Sequence, residues 1–156
     1  MATSSSIQIT GHGFAELPVA IDLQSTASNT WVNTGCQVAL PVAGTYHLDA
    51  VVRANLSVPD GSNVWIGARL LDVTANVTVP DSEMLIYQIA HSVAPTTTAV
   101  TIAGNQSAPI LVPYTVPGTR LVRLQVRRVV GVGNSTVARI LSDGNSRTTL
   151  RYERVA

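Results

Sequence analysis

Three histidines, His12, His47 and His91, are the first candidates for chemistry in this sequence. Imidazoles ligate zinc and carry protons, but zinc sites draw their ligands from characteristic spacings. These three sit on separate segments, with no His-Glu-x-x-His pair and a single cysteine, Cys36. They therefore read as solvent-facing or hydrogen-bonded side chains. Asp49 and Asp72 could face each other across a hairpin. Glycoside hydrolysis needs its two carboxylates at a set separation in a cleft, and nothing in the pattern marks one, so a polar cross-strand face is the expectation. There is no Gly-x-Ser-x-Gly elbow. Gly131-Val-Gly-Asn-Ser-Thr136 is glycine-rich, but it lacks the lysine and the following helix of a phosphate loop. No catalysis, cofactor or metal is expected.

The binding candidates are of another kind. Arg120, Arg123, Arg127 and Arg128 place four guanidinium groups in nine residues. On a strand, Arg123 and Arg127 share a face with Leu121 and Gln125. Such a stripe can dock an acidic patch through bidentate pairs, or it can simply solvate a sheet face. Arg147, Arg151 and Arg154 pose the same question near the C-terminus. Trp31 and Trp65 would stack on sugars if exposed, although burial in a core is the commoner fate. Cys36 lies in an apolar stretch and reads as an inert buried thiol.

The elements that position these residues follow from composition. The chain has 156 residues, enough for one domain with a real core. Val, Ile and Thr make up 48 of them, and these β-branched side chains favour pleated, half-buried surfaces. Eight Pro and eleven Gly spread along the chain leave no room for a long helix. Charged residues are only 12%, half the usual share, which leaves a monomer poorly defended against association. All ten basic residues are Arg. The net charge of +1 gives no drive toward nucleic acid, and no apolar run is long enough for a membrane-spanning helix. The start, Met1 to Ser6, has neither the basic nor the apolar region of a signal peptide.

Read for periodicity, residues 1–10 form an extended arm with a first short strand at Ile7–Thr10. Residues 11–156 form a single β-sandwich domain. Gly11-His-Gly13 reads as a turn. Leu17, Val19, Ile21 and Leu23 alternate as a strand whose start Pro18 pushes to an edge. Trp31–Val32 and Cys36–Leu40 read as short strands around an Asn33–Gly35 turn. The clearest strand is Thr45–Leu56, with Tyr46, Leu48, Ala50, Val52, Ala54 and Leu56 on one face. Pro59-Asp-Gly61 is a turn, so 45–56 and 64–74 are expected to pair as a hairpin. Glu83–His91 reads as a strand, although its pattern also fits a helix. Thr96–Ala103 is a strand, Gly104–Ser107 a turn, and Ile110–Val116 a strand interrupted by Pro113. Arg120–Val130 is a long strand, and 136–142 with 147–155 form a hairpin about 142–146. Eight to ten antiparallel strands without significant helix make an all-β sandwich or jelly roll.

Leu40-Pro-Val-Ala-Gly-Thr-Tyr46, leading into that alternating strand, resembles the P-x-x-G-x-Y approach to a central strand in C1q/TNF-like jelly rolls. Similar modules occur in bacteriophage tail-fibre heads and capsid decoration proteins. Ala68-Arg-Leu-Leu-Asp72 and the closing stretch Ile140–Arg154 resemble the same modules, so the likeness covers roughly residues 30–75 and 136–155. The chain departs from true C1q domains in its single phenylalanine, Phe14, and in lacking a calcium-type Asp cluster, so no immune function is implied.

The resemblance implies a virion protein made in the cytoplasm of a bacterial host: a decoration or cement protein on the capsid surface. It would form a homotrimer, contact the major capsid protein, and bind neither nucleic acid nor membrane. The residues expected to make partner contacts are Ser4, Ser5, Ser6, Ile7 and Ile9 of the arm, with Arg120, Arg123 and Arg127 of the stripe. The alternative is a receptor- or carbohydrate-binding head, marked by a concave aromatic patch.

Overall fold

The computed structural model describes residues 11–91 and 99–156. The strands in chain order are β1 (His12–Glu16), β2 (Ile21–Asp22), β3 (Val32–Leu40), β4 (Gly44–Pro59), β5 (Asn63–Asp72), β6 (Val77–Thr78), β7 (Met84–Ala90), β8 (Thr101–Val116), β9 (Arg120–Val132), β10 (Val137–Ile140), β11 (Ser142–Asp143), β12 (Ser146–Arg147) and β13 (Thr149–Arg154). Among the described residues there is no helix.

Two antiparallel sheets face each other. In the first, β4 is central. Its whole length pairs with β8 on one edge, and on the other edge β13 and β10 lie end to end, each flanked in turn by β1 or β2. In the second sheet the order is β3-β9-β5, with β7 and β6 sharing the far edge of β5. Taking β10 and β13 as one interrupted strand, and lettering the principal strands B to I along the chain, the sheets read B-I-D-G and C-H-E-F. That is the order of a jelly roll, an antiparallel double Greek key.

The core is the alternation of β4 made physical. Tyr46, Leu48, Ala50, Val52, Ala54 and Leu56 are all fully buried. They meet Cys36, Val38 and Leu40 of β3, Val64, Ile66 and Leu70 of β5, and Val122, Leu124 and Val126 of β9 in one cluster. The tyrosines Tyr46 and Tyr152 pack edge to face, with centroids 5.5 Å apart.

Several sequence expectations are corrected. The stretch 45–56 does not pair with 64–74. The Pro59–Gly61 turn is an arch that carries the chain from one sheet to the other, and β5 takes β9 and β7 as neighbours. Gly11–Gly13 is not a turn, since His12 and Gly13 already pair with Glu153 and Tyr152. The 17–23 alternation yields only the short β2: Leu17 and Leu23 plug the core while Val19 points to solvent.

Asn33–Gly35 is not a break either. It is a bulge inside one strand, where Gly35 takes φ +78° and Thr34 Oγ1 both donates to Leu124 O and accepts from Cys36 N. Gly104–Ser107 lies in mid-strand, and a Cβ at 104 would fall 2.3 Å from the Tyr87 hydroxyl, so any larger residue there has to displace that side chain. The turn at 142–146 exists but joins only β11 and β12. Residues 137–140 and 149–154 both lie along β4. The excursion between them stands over Arg53, whose backbone is satisfied by Leu141 N and Thr148 Oγ1. Residues 84–90 are a strand, as the periodicity allowed. The Ile7–Thr10 strand lies outside the described residues.

Candidate functional site

The two outer faces of the sandwich differ in chemistry. On the first sheet, register lines up transverse rows across β1, β13, β4 and β8. One row is Phe14, Arg151, Asp49, Leu111; the next is His12, Glu153, His47, Pro113. Neighbours in such rows lie about 4.5–5.5 Å apart. All but Pro113 line a groove of about 710 Å³, together with Gly11, Gly13 and Tyr152. Phe14 and Leu111 stand at its sides, 59% and 66% exposed. Arg151 Nε and Nη2 both reach Asp49 Oδ2, which leaves Asp49 Oδ1 without a partner among the described residues.

The three histidines do not converge. His12 and His47 flank Glu153, whereas His91 sits at the end of β7 with Nδ1 3.2 Å from Asp60 Oδ1. Asp60 also accepts from Val100 N at 3.0 Å through its other oxygen, Oδ2. Ser62 lies nearby but is buried, out of reach of a substrate. Among the described residues no cluster of three or more metal-ligating side chains forms. Asp49 and Asp72 do not face each other, because they belong to opposite sheets.

The second sheet's outer face carries the arginine stripe. Arg127 pairs with Glu83 and donates to Asn29 Oδ1 at 2.8 Å. Arg123 Nε donates to Gln37 at 2.9 Å, and its terminal nitrogens have no partner among the described residues. Arg69 Nε donates to Gln125, which in turn donates to Asn33. The indole of Trp31 lies 4.2 Å from the Arg69 guanidinium and 4.3 Å from that of Arg127. Burial lowers the Arg69 pKa, Glu83 opposes that shift and Arg127 adds to it. Neither Trp31 nor Trp65 is a core residue, contrary to the sequence expectation.

Arg120 and Arg128 are engaged in structure. Arg120 Nε lies 3.2 Å from the fully buried Asp72 carboxylate. Arg128 is buried and donates to Asn134, Ser135 and the carbonyl of Thr26. Near the C-terminus, Arg147 pairs with Glu16 and Arg154 donates to Ala43 O. Cys36 is fully buried, and burial pushes its thiol up to about 11. Of the residues chosen from sequence for partner contacts, Arg123 and Arg127 sit together on one face. Ser4, Ser5, Ser6, Ile7 and Ile9 lie outside the described residues. The sequence marks neither Phe14 nor Leu111 as a groove residue, and it marks Arg151 only as part of the basic group near the C-terminus. A signal for the first existed, because Phe14 shares the polar parity of His12 and Glu16 and so had to face outward.

No protein-family model and no curated protein matches the sequence. Among solved structures, a chain of the infectious bursal disease virus Gt strain is 14% identical, covering 99% of this chain and 40% of its own length, with a TM-score of 0.43. The VP2 subviral particle of the same virus is 11% identical, covering 96% of this chain and 38% of that chain at TM-score 0.41. This chain thus spans about two fifths of those viral chains. Eiger, a TNF from S. frugiperda, is 13% identical over 94% of this chain and 86% of its own, at TM-score 0.38. These likenesses are loose, and it is the strand order that establishes the fold: an antiparallel jelly-roll sandwich.

Proposed function

We propose that the chain is a virion structural protein, a jelly-roll homotrimer that decorates and cements a bacteriophage capsid. The observation that carries this reading is the surface. Charge is scarce, large apolar side chains such as Val19, Leu85 and Val132 are more than half exposed, and β8 presents sixteen residues along an edge that pairs with nothing beyond β4 among the described residues. The stretch of that edge before Pro109, where no proline removes a donor, is a template for association, and a low-charge surface with exposed apolar patches favours burial against neighbours. The motif resemblance of residues 40–46 and 140–154 points the same way. The mechanism is mechanical and involves no catalysis. Trimers sit over junctions between capsomers, and area shared with several shell subunits resists expansion. Arg123 and Arg127 face the shell's acidic groups, with the arm as a second contact.

The first test is solution mass by light scattering on a sizing column. A mass near three times 16.4 kDa is the expected result, and a clean monomer overturns the assembly. Co-sedimentation with expanded capsids then follows, comparing the full chain with one lacking residues 1–9. Loss of binding by a still-trimeric truncation is expected; unchanged occupancy removes the arm from the mechanism.

A further inference from the structure

The contacts assigned to that assembly leave out the groove on the first sheet, whose lining sets the exposed Phe14 and Leu111 beside His47, Asp49, Arg151 and Glu153. We propose that it binds a neutral pyranose sugar, with Phe14 as the stacking platform and Asp49, Glu153, His47 and Arg151 as hydroxyl partners.

Four features lead to this ligand. The site is concave and about 710 Å³, within the usual size of a small-molecule site. Its side chains come from β1, β4, β8 and β13, so rigid strands hold them. The single phenylalanine of the chain stands exposed at the groove's side, where it offers an aromatic face to the C–H face of a sugar ring. The polar complement excludes other chemistries. Two carboxylates to one guanidinium disfavour an anionic ligand. A wholly apolar ligand would strip water from Asp49 and Glu153 with nothing in return. A polyol both donates and accepts, as this set of groups requires. Asp49 is already oriented, because Arg151 holds Oδ2 and leaves Oδ1 to accept a hydroxyl.

The contact is small, so the affinity of a single site falls in the millimolar range. Repetition of the site over an assembled surface would raise it by avidity.

The test is a titration of the full-length 15N-labelled protein with the methyl glycosides of glucose, galactose, mannose and N-acetylglucosamine. N-acetylneuraminic acid serves as the anionic arm. The expected result is a saturable shift of the Gly11, Gly13 and Arg151 amides with at least one neutral glycoside, weakened about tenfold in Phe14→Ala and reduced in Glu153→Gln. Phe14 is exposed, so its variant retains the fold, as the rest of the spectrum will show. The proposal is overturned by the absence of any saturable shift, by preference for the anionic sugar, or by binding indifferent to Phe14→Ala. A fall in solution mass of Phe14→Ala would also overturn it, marking the groove as a contact between copies. The sugar titration can fail while the trimer stands, and the reverse, so this inference and the assembly are tested separately.

Discussion

Removing the Asp72 carboxylate tests whether the sandwich is stapled at one end by a buried ion. Asp72 closes β5 in the second sheet and is fully buried. It accepts from the Tyr114 hydroxyl of β8, in the opposite sheet, at 2.7 Å, and from Ala75 N at 2.9 Å. Arg120 Nε of β9 lies 3.2 Å away. Asp72→Ala strands all three donors. Breaking a buried pair costs about 3–5 kcal/mol. Arg120 is 24% exposed and can recruit water, so the lower end, about 3 kcal/mol, is the expected loss. For a chain of this length that lowers Tm by about 6–12 °C. Asp72→Asn keeps one acceptor and should lose about 1–2 kcal/mol, and Tyr114→Phe about 1 kcal/mol. The assay is urea denaturation followed by circular dichroism at fixed protein concentration, so that association does not confound the comparison. The double variant Asp72→Ala/Tyr114→Phe should be little worse than Asp72→Ala, giving a clear coupling energy. A loss below about 0.5 kcal/mol in Asp72→Ala, or strict additivity in the cycle, would refute the staple.

Burial, followed by the hydrogen bond to Asp72, pushes the Tyr114 phenol from 10.0 up to about 12. The folded value is the higher one, so its contribution to stability is whole below pH 10 and drains away as pH rises toward 12. Phenolate absorbance should show a late-titrating tyrosine that vanishes in Tyr114→Phe. The Cys36 thiol should ignore a thiol reagent in the native protein and react fully in denaturant; rapid native labelling would contradict its burial. Gly13→Ala places a Cβ 2.2 Å from Tyr152 Cε1, on a ring already held against Tyr46. A loss of about 1–3 kcal/mol in a urea melt is expected, and a neutral outcome would mean that the ring is free to move. Asp60→Ala should speed hydrogen exchange at the Val100 amide, whose partner it removes.

The sequence spoke clearly about faces and poorly about edges. Alternation in β4 told which side chains are buried, because the strand repeat is two and six apolar residues kept phase. It could not tell which strand lies beside β4. A Pro-Asp-Gly turn serves a hairpin and an arch equally well, and the choice is made by the twist and closure of the whole sandwich. The same ambiguity hid the β10–β13 line. The turn at Ser142–Ser146 was legible, but its arms return to β4 and not to each other. Glycine misled twice in one sense. Gly35 and Gly104 look like chain reversals, yet one makes a bulge and the other clears space for the Tyr87 hydroxyl.

Site residues divide along the same line. Arg123 and Arg127 were legible as a pair because they share a strand and a parity. The groove was not, because its rows run across strands that are distant in the chain: Phe14, Arg151, Asp49 and Leu111 meet only through three ladders. A chemical difference between the two outer faces follows from this. The second sheet sets most of its polar groups against one another, as Trp31 lies against Arg69 and Arg127, and Gln125 links Arg69 to Asn33, while the terminal nitrogens of Arg123 have no partner among the described residues. The first sheet leaves Asp49 Oδ1 without a partner, and Phe14 and Leu111 stand uncovered beside it. A flat face whose polar groups mostly meet one another, with one guanidinium end left open, gains little from a small ligand and suits a broad acidic partner. A face with an oriented carboxylate and an uncovered ring gains most from a ligand that supplies both a donor and an apolar surface. One sandwich can therefore offer assembly and recognition on opposite sides without either competing for the same residues.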